Sequence, residues 1–251
     1  MSFITLFGLE LHRKWVTAKR YPLNFYASIV FAAVILILVI SGASYLSGGA
    51  LSLQRMESLV LGYYLWTLTV GISSTAAEEI VEDAKLGTLP HILTSATSLF
   101  SVLLARKVVL VLYQLLVVGV GFVFINWYFD LQVRLHPLML WVFLQIIVAG
   151  FAVSYLLGAI ALINKQMSTF VAFVQLLLIM VFLVPIESEL SLYIPVSGSM
   201  YLLRSLASGI PVEASQMVLA SLPSVMLFML SSLFFHVMYK QARRRDVVTQ
   251  L

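Results

Sequence analysis

The chain has no cysteine, and only 10% of its 251 residues are charged. Without cysteine there is neither a disulfide framework nor a thiolate metal site. The shortage of charge excludes a water-soluble surface, because a soluble domain carries about 25% charged residues. The four histidines, His12, His91, His136 and His236, stand far apart in sequence with no His-x-x-x-His pair, so no metal site is expected. No glycine is followed by lysine, which removes the G-x-x-x-x-G-K-[ST] phosphate loop. ATP, if used at all, must be bound by another chain. No catalytic constellation is found either, and the chain is not expected to be an enzyme. What is present is apolar: 61% of residues are hydrophobic and the mean hydropathy is +1.03. The solvent for most of this chain is lipid.

A spanning helix needs about 20 predominantly apolar residues. Six such stretches are predicted, at 24–46, 58–77, 108–127, 138–163, 168–185 and 216–239. The first is too long to be the core of a cleaved signal peptide. Placing the N-terminus in the cytoplasm puts twelve of the 15 lysines and arginines on the cytoplasmic side and leaves only Arg55, Arg134 and Arg204 outside. Basic residues concentrate inside, so both termini are predicted to be cytoplasmic. The same distribution argues against nucleic acid as a partner, because the basic residues flank apolar spans. The fold class is an all-α integral membrane protein forming a single transmembrane domain in the plasma (inner) membrane.

Residues 1–21 form a separate element. Phe3, Phe7, Leu11 and Trp15 recur at i+4, with Glu10, Arg13 and Lys14 on other faces, which predicts an amphipathic helix in the headgroup layer. Periodicity leaves two readings open, a positively charged anchor or a lateral elbow helix bordering a cytoplasmic partner. Residues 240–251 form a basic tail suited to anionic lipid.

The segment 78–98 is the most informative. Glu78, Glu79, Glu82 and Asp83 place four carboxylates within six residues. They form i,i+4 pairs, and like charges at that spacing repel, so an incoming cationic surface would account for one acidic helix face. Leu89, Ile92 and Leu93 then supply an apolar stripe, and Thr94, Ser95, Thr97 and Ser98 offer caps for the next helix.

These residues resemble a family, the permease subunits of type-2 ABC exporters. Glu78-Glu79, then Gly87-Thr88-Leu89, then Ile92-Leu93-Thr94-Ser95 and Arg106-Lys107 follow its pattern. Pro90 stands where the family usually has Glu, and Ala96 where it often has Pro. A second segment, 192–211, is similar to the family's short external helical hairpin, through Pro195, Tyr201, Leu202, Leu203, Arg204 and Gly209. Its form is closest to the sodium-extrusion and peptide-export branch. The resemblance implies a permease that pairs with two copies of a separate ATPase, which would bind ATP and Mg, and with a second copy of itself or a related permease. Residues 78–98 would hold the coupling helix, and Phe7, Leu11, Arg13, Lys14 and Trp15 would belong to the elbow helix.

Within the spans, Gln114, Gln145, Gln175 and Asn164 are costly to expose to lipid and are expected to face other helices or a cavity. Gly150, Ser154 and Gly158 are expected at close helix contacts. Glu187 and Glu189 read as an outer loop. An intramembrane protease would need Ser199 and His236 together, and the predicted topology places them near opposite faces. The rival functions are a secondary transporter, which would be expected to carry intramembrane carboxylates, and a non-transporting sensor or anchor.

Overall fold

The computed structural model describes residues 3–48, 53–94, 99–130, 136–164, 166–183 and 189–244. They form helices α1 (Phe3–Arg20), α2 (Pro22–Leu46), α3 (Leu53–Ser73), α4 (Thr75–Lys85), α5 (Leu89–Thr94) and α6 (Leu99–Phe129). There follow α7 (Met139–Ala161), α8 (Ser168–Leu183), a 3-10 turn at Glu189–Tyr193, α9 (Ser197–Ala207) and α10 (Ala214–Arg244).

Five stretches are long and apolar enough to cross a bilayer: Tyr26–Leu46, Met56–Lys85, Leu99–Phe129, Met139–Ala161 and Ala214–Arg243. The chain is a multi-pass membrane protein by helix length and hydropathy. The fifth predicted span, α8, is described as a 16-residue helix. At 1.5 Å per residue it measures about 24 Å, against about 30 Å of hydrocarbon. Several boundaries also differ from those the sequence predicts. Helix α6 begins nine residues before the predicted 108, so Arg106 and Lys107 stand inside a helix rather than on its flank. Asn164 lies beyond the end of α7 and is exposed.

Helix α7 is the central post, with α3, α4, α9 and α10 packed around it. Small residues make this possible, because they let backbones approach closely. A Cβ on Gly150 would lie 3.1 Å from Ile72 of α3, and one on Gly158 would lie 2.9 Å from Ala76 of α4. The first half of α7 meets α9 through a cluster that includes Val142, Ile146, Met200 and Leu203. Its second half meets α4, α5 and α10 through Tyr155, Ile80, Leu89 and Phe235. The α4–α5 unit and α9 therefore sit at opposite ends of the post.

Helix α1 has no buried residue. Of the predicted apolar stripe, Phe3, Leu11 and Trp15 are exposed, while Phe7 turns toward the protein with Glu10 and Lys14.

Helices α4 and α9 end in the same way. The Gly87 and Gly209 φ angles are 69° and 74°. Gly87 N–H donates to the Ala84 carbonyl and Thr88 N–H to the Asp83 carbonyl; Gly209 and Ile210 repeat this toward Leu206 and Ser205. Both are Schellman caps, which need glycine in the left-handed region. Neither glycine would bring a Cβ within 4 Å of another group, so the cost of substitution is conformational. Gly87→Ala and Gly209→Ala are each expected to lose about 1–2 kcal/mol, read as a lower thermal midpoint in detergent. Gly8→Ala, inside α1 and equally open, should be neutral or gain up to about 1 kcal/mol.

Candidate functional site at the α4–α5 end

Helices α3 and α4 are separated at Ser74, and hydroxyl groups stabilise the break. The Thr75 hydroxyl donates to the Ile72 carbonyl at 2.6 Å, occupying the acceptor that Ala76 N–H would use in an unbroken helix. Ala76 N–H instead donates to Ser154 Oγ of α7 at 3.2 Å. Ser154 is fully buried, and it satisfies one of the orphan donors that every helix N-terminus carries. Sequence reading placed Ser154 and Gly158 at close contacts. Here they set the position of α4 against α7.

The four carboxylates do not form one face. Glu78 and Glu82 point outward and are exposed, while Glu79 and Asp83 turn inward. Their cationic surface is already present in this chain. Arg106 of α6 lies 2.7 Å from Asp83, 3.8 Å from Glu79 and 3.1 Å from Glu10 of α1. Its side chain is 9% exposed, and those of the three acids are 14%, 18% and 15% exposed, respectively. One guanidinium thus joins three helices through its fork of donors. Glu10 also meets Arg13 at 3.2 Å, and the Thr88 hydroxyl donates to Asp83 at 3.0 Å. Repulsion within 78–83 is thus answered from inside for two of the four residues.

In the sequence, Lys107 is a charge flanking a span and part of the family-like pattern. It is fully buried, with Nζ 3.3 Å from the centroid of the Tyr155 ring and 5.8 Å from that of Phe151. Phe100 stacks on Tyr155 at 4.7 Å. Lys107 Nζ, Tyr155 Oη and Glu79 Oε2 have no hydrogen-bond partner among the described residues. The sequence carried a signal for this, since Leu99, Leu103, Lys107 and Val111 recur at i+4 and all four are buried. A lysine in phase with an apolar stripe faces the core.

The remaining predicted residues divide between the two ends. Leu89 is buried, Ile92 packs beside it, and Gly87 and Thr88 are exposed. The side chain of Leu93 and the expected caps Ser95, Thr97 and Ser98 lie outside the described residues, as do Arg134 and Glu187. A groove of about 660 Å³ separates α4 from α8, lined by Glu78, Glu82, Lys85, Gln166, Ser168 and Gln175 among others. Gln114 fills the notch at Gly71, where a Cβ would lie 2.5 Å from its amide nitrogen.

At the other end, Arg204 donates to the Phe182 carbonyl of α8 at 3.0 Å, answering a helix C-terminus with a cation. Pro195 precedes α9, and Tyr201 lies within it, half-buried. Gln145 accepts from Ser199 at 3.0 Å and donates to Ser221 and to the Met217 carbonyl. This ties α9 and α10 to α7. Ser199 is buried at this end, whereas His236 is exposed on α10 next to Phe235, which packs with Tyr155 at the other. No group of three or more metal-binding side chains occurs among the described residues. Comparison with protein-family models, with curated proteins and with solved structures finds no match.

Proposed function

We propose that this chain is the permease subunit of an ATP-driven exporter of the type-2 ABC kind. It forms the path through the membrane, and a separate ATPase, present in two copies, binds ATP and Mg. The observation that carries this reading is the α4–α5 unit. It is anchored on α7 through Ser154, tied to α6 through Arg106, and it leaves Glu78, Glu82, Lys85, Leu86 and Thr88 exposed at its tip. A partner that pushes on this tip acts directly on helices that continue into the membrane. Both ends of the chain are cytoplasmic in this reading, α9 faces outside, and a second permease copy completes the path.

The secondary-transporter reading draws on one observation, the wholly buried Lys107 inside the Leu99–Phe129 stretch. Intramembrane ionisable groups often mark ion or proton pathways.

The two readings part in a pull-down. The C-terminally tagged protein is extracted from its native membranes in mild detergent, and what accompanies it is identified. The expected companion is a P-loop ATPase in near-equal amount, lost from the Glu78→Ala/Glu82→Ala/Leu86→Ala variant. Glu79 is left intact, since its replacement would disturb the Arg106 cluster instead. Recovery of the protein without an ATPase, even after cross-linking, rejects the permease reading and favours the secondary transporter.

A further inference from the structure

A buried ammonium with no hydrogen bond and a buried carboxylate oxygen with no hydrogen bond stand on neighbouring helices. Lys107 of α6 rests on the Tyr155 ring, and Glu79 Oε2 of α4 has no hydrogen bond, its nearest cation being Arg106 at 3.8 Å. Helices α4 and α6 pack together, and Arg106 is the residue that precedes Lys107. Leaving both groups unsatisfied is unfavourable, and each is the natural partner of the other. We propose that Lys107 and Glu79 are the two halves of a switch. In the state seen here, the ammonium lies on the ring of Tyr155. In a second state, α4 shifts and the ammonium pairs with Glu79.

The surroundings favour two discrete arrangements over a continuous drift. The helical run from α3 into α4 is interrupted at Ser74, where the Thr75 hydroxyl takes the Ile72 carbonyl and Ala76 N–H turns to Ser154, while Ser74 and Glu78 N–H keep their bonds to the Val70 and Ser74 carbonyls. Arg106 is already committed to Asp83 and Glu10, and Arg13 to Glu10. Arg106 stands 3.8 Å from Glu79, beyond hydrogen-bond distance. On the ring side, Phe100, Phe228 and Phe235 hold the Tyr155 ring in place, and the Tyr155 and Phe151 rings receive Lys107 Nζ in one state and are left in the other. Packed surroundings of this kind tend to be bistable. The switch belongs to the chain itself and operates whether or not an ATPase binds α4.

The absence of cysteine makes the test direct. Spin labels are attached at Glu82→Cys on α4 and His236→Cys on α10, both exposed positions. Their separation is measured by pulsed electron resonance on the full chain in lipid nanodiscs. Two distance populations are expected, one matching the structure. Lys107→Met should lose the second population, and Glu79→Gln should lose it too. A single population in the parent overturns the switch. So does survival of both populations in Glu79→Gln, which keeps the size and shape of the side chain and decides the matter if Lys107→Met fails to fold.

Discussion

Arg106→Ala is expected to cost this protein about 3–5 kcal/mol, the loss typical when one partner of a buried ionic cluster is removed. The substitution leaves Glu10, Glu79 and Asp83, none more than 18% exposed, without the cation they share. Three helices lose their common tie at once. Arg106→Lys should recover part of the loss, since lysine restores the charge but not the planar fork that reaches two carboxylates together. The measurement is the thermal midpoint of purified protein in detergent. A triple variant, Arg106→Ala with Glu10→Gln and Asp83→Asn, should lie closer to wild type than Arg106→Ala alone, because the penalty comes from uncompensated charge. An Arg106→Ala midpoint indistinguishable from wild type would mean that the cluster contributes nothing to holding α1 and α4.

The second large effect is expected at Gly158. An added Cβ would lie 2.9 Å from the Ala76 Cβ and 3.4 Å from atoms of Ile80 and Phe235. The alanine methyl is fixed to backbone and cannot swing away, so Gly158→Ala should cost about 1–3 kcal/mol by overpacking. Gly158→Leu should cost more, since it forces α4 off α7 and separates Ala76 from Ser154 Oγ. Steric conflict makes a sharper prediction in combination. Ala76→Gly empties the space that the new methyl needs, so the pair Gly158→Ala/Ala76→Gly should show a favourable coupling of about 1–2 kcal/mol in a double-mutant cycle. Additive losses would mean that the two helices do not meet at this point.

Physical causes separate what could be read in the sequence from what could not. Long apolar helices follow from composition and run length, and five of them were legible. Helix α8 was legible as an apolar stretch, and its described part, Ser168–Leu183, is shorter than the other five. The inward turn of Glu79 and Asp83 was recoverable from phase. They stand three residues after Ala76 and Ile80, which are buried, while Glu78 and Glu82 stand two residues after them, on the far side of the helix. Treating the four acids as one face ignored that 100° step.

The glycines of the two motif-like segments were seen in sequence, but their reason was not. Gly87 and Gly209 are fixed by helix termination, a local requirement that any helix ending this way would share. Arg106 is a different matter. Its partners come from positions 10, 79 and 83, and no periodicity within one helix can show which distant carboxylates a single cation will collect.

That sequence separation carries a consequence in time. Glu10 bonds to a residue 96 positions later. At a synthesis rate of about 5–20 residues per second, the two are made about 5–20 s apart. During that interval α1 exists without its seat, with Arg13 as the one cation of the cluster already made. Until Arg106 is made, Glu10 of α1 has only Arg13 to pair with. A helix made early is therefore among the last to be tied down.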